Sequence, residues 1–585
     1  MSSAAATQLA RPPISKGTPG IDPRTILVVG ATLVAASSGW HWWNVQRDTR
    51  TPETIVAEYL LVAGLSVFVL ALLYKFHTSL VVPNIHGVLL DAPAVVAMAV
   101  TIWLLGIRQF GGYDHSALIQ AGWLQLRSLV PFQDYPCTFP PLFFLGARYA
   151  FRIFGVRWSA FVLLMAAFAF LSFLFLSRQF RALGFPSIGA TTLAVTAEMG
   201  TSVASSYWWY NPVTSMVGVM VFVSALVCLA HAKEWTSWTL LGISFTLLVL
   251  SKPNAWPIGA CVVFVCAARE ASQRLRALTV LTLGVSLSGI VCWLHHLNPI
   301  GVLRAYSDIA ATRGDPLRMT AMLQFQPVEQ HILRWSIKVV AFLFFAILAA
   351  NQDELRQYWR EYSCCLATAF TSLALFNMNG ELKTSDLAPL VVALAVVAFR
   401  PWSKKRLDGI GRAATVIVVV FFMILSGYWG VARQRVRGIG ERVFFENAAT
   451  AIIPTGFFAG LHTGPRLVAV LRQIEDALDK YPSNKVFFGP RMEFSYAAFR
   501  RDPLRGLPVW WDPGTSFAVS DVVTVNRALE NADFDILVFL KGDRTLMPLA
   551  VLERKLSSYD RVSGFSELDV YVRRKGGETA AAVLP

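Results

Sequence analysis

The stretch that decides the fold is residues 111–155, GGYDHSALIQAGWLQLRSLVPFQDYPCTFPPLFFLGARYAFRIFG. It is polar and contains two acidic residues, Asp114 and Asp134, yet it lies between two long hydrophobic runs. A proline-interrupted aromatic segment, residues 139–154, forms its last third. A segment of this kind between apolar runs is expected at the surface of a bilayer, and it is where we look for chemistry.

The rest of the chain is too apolar for a soluble protein. Of its 585 residues, 55% are hydrophobic and only 15% are charged, and the mean hydropathy is +0.50. Mostly uncharged runs recur, long enough at about 1.5 Å per residue to cross most or all of a bilayer core. They are residues 26–42, 55–74, 92–110, 159–176, 187–208, 213–232, 238–251, 256–268, 275–294, 332–350, 363–378, 387–399 and 413–431. The sequence therefore predicts a polytopic α-helical membrane protein with about 13 transmembrane helices.

The net charge is +15, and the Lys and Arg residues are distributed unevenly between the two sides of the membrane that the predicted spans imply. Lys and Arg fall in alternate loops, which is the positive-inside pattern of a chain with a cytoplasmic N-terminus. These residues are Arg11, Lys16, Arg24, Arg178, Arg181, Lys233, Arg269, Arg274, Arg276, Arg356, Arg360, Arg400, Lys404, Lys405, Arg406 and Arg412. We therefore expect a multi-pass protein of the inner (plasma) membrane that has no nucleic-acid partner. Residues 111–155 and everything after residue 431 would be extracytoplasmic.

Composition also suggests domain boundaries. Charges return at ordinary density near residue 454, where short β-rich runs alternate with helical stretches, so a small extracytoplasmic α/β domain is predicted. The predicted strands are residues 485–489, 534–540 and 570–573, and the helices are residues 466–480 and 548–559. The predicted units are a cytoplasmic leader (1–24), two extra helices (25–91), a transmembrane core (92–435) with outer loops 111–157 and 297–330, the α/β domain (436–575) and a disordered tail (576–585). The first apolar run also fits a cleavable signal peptide, which would leave the remaining topology unchanged.

Cofactor motifs are missing from the sequence. The seven cysteines form no disulfide framework, because six lie in or at the ends of predicted spans. No CxxC, HExxH, P-loop or GxGxxG pattern occurs, so nucleotide and zinc chemistry have no motif behind them. The sequence therefore predicts no particular cofactor, and a divalent cation stays an open alternative.

Asp114 is the first candidate for chemistry. It follows Gly111-Gly112-Tyr113 and precedes a helical pattern over residues 116–129. One interpretation is an N-cap, since Asp accepts backbone N–H bonds well. The other is a general base that takes a proton from an acceptor hydroxyl or amine. The residues alone favour neither.

The order of features resembles a known family. An acidic residue in the first large outer loop, a Pro140-Pro141-Leu142 element between two juxtamembrane helices, many spans and a C-terminal outer domain are similar to the type C integral-membrane glycosyltransferases. The likeness is strongest to the bacterial group related to protein O-mannosyltransferases and lipid A aminoarabinose transferases. Its specific part is Tyr113-Asp114-His115 and residues 135–142, and the family's catalytic acid matches Asp114. Three departures concern the substrate subgroup: two extra spans precede the loop, Thr138-Phe139 replaces a Glu-Lys pair, and His115 stands where a second acid is common.

The resemblance implies transfer of a sugar from a polyprenyl-phosphate donor, held at the bilayer, to an extracytoplasmic lipid, polysaccharide or protein. Asp114 would be the base and Asp134 would orient it or the substrate. Cations would hold the donor phosphate without a metal. The candidates are Lys252, Arg304, Arg313 and Lys383. Snorkelling of Lys252 and solvation of the loop arginines are the alternatives.

Four further residues are candidates for the wall of a substrate cavity. They are His115, Glu198, Tyr210 and Glu381. Glu198 lies inside a predicted span, where a carboxylate either faces a cavity or is neutral and hydrogen-bonded. Tyr210 belongs to an aromatic cluster that either stacks on sugars or forms an interfacial aromatic belt.

Two rival functions belong to other classes. A secondary transporter or flippase for lipid-linked sugars would show repeat symmetry and ionisable groups at mid-membrane depth, whereas polar residues here concentrate in the outer loops. A non-catalytic subunit of polysaccharide assembly would tolerate the loss of Asp114.

Overall fold

The structure, a computed structural model, describes most of the chain after residue 84. The described residues are 85–108, 110–137, 139–252, 259, 262, 271–313, 328–349, 352–378, 384–399, 402, 409–432, 451–514, 516–543 and 546–574. All of them belong to one compact unit, Pro83–Pro585. The predicted spans 26–42 and 55–74 and most of 256–268 lie outside the described residues, so the number of thirteen spans stays a prediction.

The membrane part is a bundle of apolar helices. In chain order the helices are α1 (Ile85–Gly106), α2 (Tyr113–Leu126), α3 (Pro141–Phe154), α4 (Ser159–Ala182), α5 (Ser187–Glu198), α6 (Tyr210–Ala230), α7 (Trp235–Ser251), α8 (Ala271–Leu294), α9 (Pro299–Arg313), α10 (Val328–Ala349), α11 (Gln352–Gln357), α12 (Trp359–Met378), α13 (Thr384–Phe399) and α14 (Gly409–Ala432). Among the described residues, three stretches are long and apolar enough to cross a membrane, Ser159–Ala182, Tyr210–Ala230 and Gln273–Leu294, and five shorter apolar helices accompany them. The chain is a multi-pass helical membrane protein.

One predicted span is built differently from the others. The sequence predicts a single helix over residues 187–208, but α5 ends at Glu198 and a π-helix, Met199–Val203, continues it. A Cβ on Gly200 would lie 2.5 Å from the Phe422 ring, so only glycine allows α14 to approach this closely. The Gly200 carbonyl accepts a hydrogen bond from Thr384 Oγ1 at 3.2 Å. The π-helix is therefore in contact with α14 through Gly200 and Phe422 and with α13 through Gly200 and Thr384.

The C-terminal part of this unit, residues 451–574, combines helices with a small sheet, and we refer to it as the C-terminal domain. Its four-stranded sheet has the order β3 (Val486–Phe488), β4 (Ile536–Leu540), β6 (Leu568–Arg573), β5 (Tyr559–Val562), with β3 and β4 parallel and the other neighbours antiparallel. A separate two-stranded pair, β1 (Ala451–Ile452) and β2 (His462–Thr463), precedes it. The helices are α15 (Pro465–Lys480), α16 (Phe494–Ala498), α17 (Val522–Asn531) and α18 (Leu546–Leu556).

Three of the four sheet strands match the predicted runs, and β5 is the one that sequence reasoning missed. Every residue of β4 is buried, which suits a central strand read as a continuous apolar run. In β5 the sequence is Tyr-Asp-Arg-Val, and its two central residues are exposed charges. An edge strand protected by charge has no apolar alternation for a pattern search to find.

Candidate active site

Asp114 lies in the first turn of α2. The residue at the N-cap is Gly112, with φ 99° and ψ −93°, a backbone conformation that favours glycine. The Gly112 carbonyl accepts the Ser116 N–H at 2.5 Å, which closes the first turn around Asp114. Asp114 is therefore not the N-cap residue. Its half-buried carboxylate lies at the positive end of the helix dipole, which stabilises a negative charge.

His115, the next residue, holds the entry to α2 in an aromatic enclosure. Its Nδ1 accepts the Gly111 N–H at 2.8 Å, so a neutral ring carries its proton on Nε2. Its ring centroid lies 4.4 Å from that of Tyr207, 5.2 Å from Trp158 and 5.7 Å from Phe110. This packing anchors the glycine turn that precedes Asp114, and the predicted role of His115 in a substrate cavity stays a prediction.

The C-terminal domain holds the same end of α2. Ser116 Oγ donates to the Arg491 carbonyl at 2.7 Å. The Arg491 guanidinium lies 3.5 Å from the Asp543 carboxylate, and both side chains are largely buried. Glu493 is buried beside them, and this burial, with the nearby Asp543 charge, raises its pKa to about 8. Sequence reasoning missed these three residues, because nothing local connects them to a helix 375 residues away.

Asp134 belongs to a turn at the far end of the loop. Its Oδ2 accepts the Val130 N–H at 2.7 Å, and its Oδ1 lies 3.5 Å from the Arg505 guanidinium. The Asp134 carbonyl accepts the Gly506 N–H at 2.7 Å. These contacts tie the loop to the C-terminal domain, and the predicted role in orienting Asp114 or substrate stays a prediction.

Lys252 and Tyr210, which the sequence assigned to separate roles, lie together. Lys252 follows the last residue of α7, and its Nζ donates to Asn211 Oδ1 at 3.0 Å and lies 5.3 Å from the centre of the Tyr210 ring. Tyr210 in turn packs against Phe139 of the outer loop, with ring centroids 6.1 Å apart. Phe139 stacks on Trp510 of the C-terminal domain, with 6.1 Å between centroids and 20° between planes. A cation is thus held at an aromatic wall shared by the bundle, the outer loop and the C-terminal domain.

A narrow cleft opens inside the bundle among α6, α7, α12 and α13. It is small, and its walls are mostly apolar. Thr214 and Ser215 line it, and their side-chain oxygens have no hydrogen-bond partner in the described part of the chain. Asn211, which binds Lys252, lies one turn before Ser215 on α6.

Glu198 is fully buried at the end of α5, and its Oε1 accepts a hydrogen bond from Ser172 Oγ at 2.5 Å. It does not line the cleft. This geometry is the hydrogen-bonded alternative of the sequence analysis, and a role in a substrate cavity stays a prediction.

Of the other three predicted phosphate ligands, the structure describes the positions of two, Arg304 and Arg313. Arg304 lies on α9 with an exposed side chain, and Arg313 is the last residue of the same helix. Lys383 and Glu381 lie outside the described residues. No cluster of His, Cys, Asp or Glu suited to a metal ion occurs in the part of the chain that the structure describes, and the divalent cation stays untested.

Comparisons with known proteins give one kind of match. No family model matches the chain, and no curated protein matches it. The crystal structure of ArnT from Cupriavidus metallidurans bound to undecaprenyl phosphate is similar, with 14% identity over 83% of this chain and 98% of that chain and a TM-score of 0.49. The apo structure of the same protein has 14% identity over 82% and 96%, with a TM-score of 0.47. In its structure the chain is thus similar to ArnT along nearly the whole length of that protein.

Proposed function

We propose that this protein is a membrane glycosyltransferase. It takes a sugar from a polyprenyl-phosphate donor and transfers it to an extracytoplasmic acceptor of the cell envelope, a lipid, a polysaccharide or a protein. Asp114 is the general base. The sequence resemblance motivates the reaction class, and the contacts around Asp114 and Lys252 motivate the roles of the residues.

The placement of Asp114 carries the proposal. Gly112 and His115 hold the turn before it, and Ser116 is bonded to the C-terminal domain directly after it. A base must be held at a defined position relative to the proton that it removes. Three contacts within residues 111–116 provide that fixation, which a solvated loop carboxylate does not need.

The donor would bind with its phosphate at Lys252 and its tail toward the bundle. Lys252 is held by Asn211 and the Tyr210 ring, at the end of α7. The helices beside this cation, α6 and α7, are apolar along most of their length, so the lipid tail would lie against them. Charge-assisted hydrogen bonds to phosphate are the stronger kind, which suits a leaving group that departs with negative charge.

The reaction balances with the residues assigned. The acceptor oxygen or nitrogen attacks the anomeric carbon and forms the new glycosidic bond, and its proton passes to the Asp114 carboxylate. The bond between that carbon and the phosphate oxygen breaks, and the electron pair leaves with the polyprenyl phosphate. Lys252 offsets the charge that develops on the phosphate. Attack from the face opposite the leaving group inverts the anomeric centre.

The test measures release of polyprenyl phosphate. Purified full-length protein in lipid vesicles would be given undecaprenyl phosphates carrying radiolabelled hexose, pentose or amino sugars, with an envelope extract as acceptor. Asp114→Asn is nearly isosteric and removes only the base, so the rate should fall by about 100- to 10,000-fold. Asp134→Asn, in the same loop, should lower the rate by much less, because that residue would only orient Asp114 or the substrate. Wild-type turnover by the Asp114→Asn protein would falsify the assignment of the base.

A further inference from the structure

A cluster of positive side chains lies where α3 meets the end of α8. Arg148 of α3 has its Nη1 3.4 Å from His295 Nδ1. Tyr149 OH lies 3.3 Å from His295 Nε2, so both ring nitrogens of His295 face α3. His295 directly follows the last residue of α8, and Arg274 and Arg276 lie near the first. The positive-inside pattern predicts that the arginine end of α8 is cytoplasmic, so His295 would lie on the outer side.

The cluster has a surplus of positive charge. In the described part of the chain, no carboxylate pairs with Arg148, Arg152, His295 or His296, and Arg148 Nε is buried without a hydrogen-bond partner. Partial burial and the charges of Arg148, His296 and Arg152 lower the pKa of His295. The charges that remain uncompensated are the guanidinium groups of Arg148 and Arg152, one turn apart on α3, and an anion beside them would relieve their repulsion.

The surroundings place the cluster at the bilayer interface. Large apolar side chains beside it are exposed, with Trp293 74% and Ile153 68% accessible, and Leu294 and Ile300 are exposed as well. Exposed apolar residues next to arginine and histidine are typical of the level where acyl chains meet headgroups. The anion that reaches this position most readily is the phosphate of a lipid.

We propose that Arg148, Tyr149, Arg152, His295 and His296 bind the phosphate group of an outer-leaflet lipid. The guanidinium groups of Arg148 and Arg152 donate to the phosphate oxygens, while the His295 ring holds Arg148 through Nδ1 and Tyr149 through Nε2. The flanking apolar side chains contact the acyl or prenyl chain. The site does not include Asp114 or Lys252, so a test of lipid binding here is independent of the proposed reaction. Two lipids have this chemistry, an anionic phospholipid and the polyprenyl phosphate.

Native mass spectrometry of the full-length protein in detergent tests the site without any turnover. The probes are phosphatidylglycerol, undecaprenyl phosphate and inorganic phosphate, each titrated against the wild type, Arg148→Ala and His295→Gln. Arg157→Ala is the matched control, because it removes an exposed arginine of the same outer loop that lies outside the cluster. His295→Gln retains hydrogen-bonding capacity toward Tyr149, and thermal unfolding checks that each variant is folded.

Both cluster variants should weaken binding of at least one lipid by about tenfold or more, while Arg157→Ala leaves it unchanged. Loss of phosphatidylglycerol binding identifies a resident phospholipid, and loss confined to undecaprenyl phosphate identifies the carrier lipid. Unchanged lipid affinity in folded His295→Gln and Arg148→Ala overturns the proposal. Equal losses in Arg157→Ala, or binding of inorganic phosphate alone, overturn it too.

Discussion

Two of the junctions at which the C-terminal domain contacts the outer loop differ in burial. At the buried junction, Ser116 bonds to the backbone of Arg491, whose guanidinium pairs with Asp543. The exposed fractions of these two charged side chains are 15% and 8%. Glu493 completes this junction.

At the exposed junction, the charges face water. Arg127 pairs with Asp502, with side chains 51% and 60% exposed, and Arg505 approaches Asp134 with 75% of its side chain exposed. Exposed ion pairs contribute about 0–1 kcal/mol, whereas removing one partner of a buried pair costs about 3–5 kcal/mol. The domain therefore fixes the start of α2, beside Asp114, more firmly than the turn that follows α2.

The largest effect is expected from Arg491→Met, which keeps an apolar stem but leaves the Asp543 carboxylate buried without its guanidinium. The free energy of unfolding of the domain should fall by about 3 kcal/mol. Arg127→Met at the exposed junction is the matched control and should cost about 0.2–1 kcal/mol. Urea unfolding of the full-length protein in detergent, followed by tryptophan fluorescence, measures both. Equal losses in the two variants would remove the distinction between the junctions.

The second effect is a pH dependence at the buried junction. The folded-state pKa of Glu493, about 8, lies above its usual value near 4.5, so the folded protein binds a proton that the unfolded chain releases between these values. Stability from this group is full below about pH 4.5, and it falls by up to about 1.4 kcal/mol per pH unit until about pH 8. Glu493→Gln cannot ionise and should flatten that slope. Melting temperatures of the wild type and of Glu493→Gln between pH 5 and pH 9 test this. If the two curves of melting temperature against pH were parallel, Glu493 would not be the source of the slope.

The smallest effect is expected at Asp134. Asp134→Ala loses the acceptor for the Val130 N–H and should cost about 1 kcal/mol. Asp134→Asn keeps an oxygen acceptor and loses only the charge facing Arg505, so it should cost less than Asp134→Ala. The same urea titration measures the pair. A larger loss for the asparagine variant would mean that the exposed charge, rather than the turn, stabilises this end of the loop.

Much of the architecture follows from sequence patterns. Helices occupy the ten predicted spans that lie within the described residues, although 187–208 is divided at Glu198, and α15 begins within one residue of its prediction. Hydrophobic length and periodicity determine these elements, because a bilayer or a domain core selects for apolar faces wherever they occur. The candidate acid Asp114 was also found from its position between apolar runs and from the family resemblance.

Only the tertiary structure brings Arg491 to Ser116, Lys252 to the Tyr210 ring and Arg148 to His295. Each pair joins elements that are distant in sequence, and Arg491 and Arg148 by themselves have the appearance of ordinary surface charges. Periodicity records which face of an element is apolar, but it does not record which other element covers that face. The sequence by itself therefore determined the spans and the α/β domain, while packing decided which charges became buried partners.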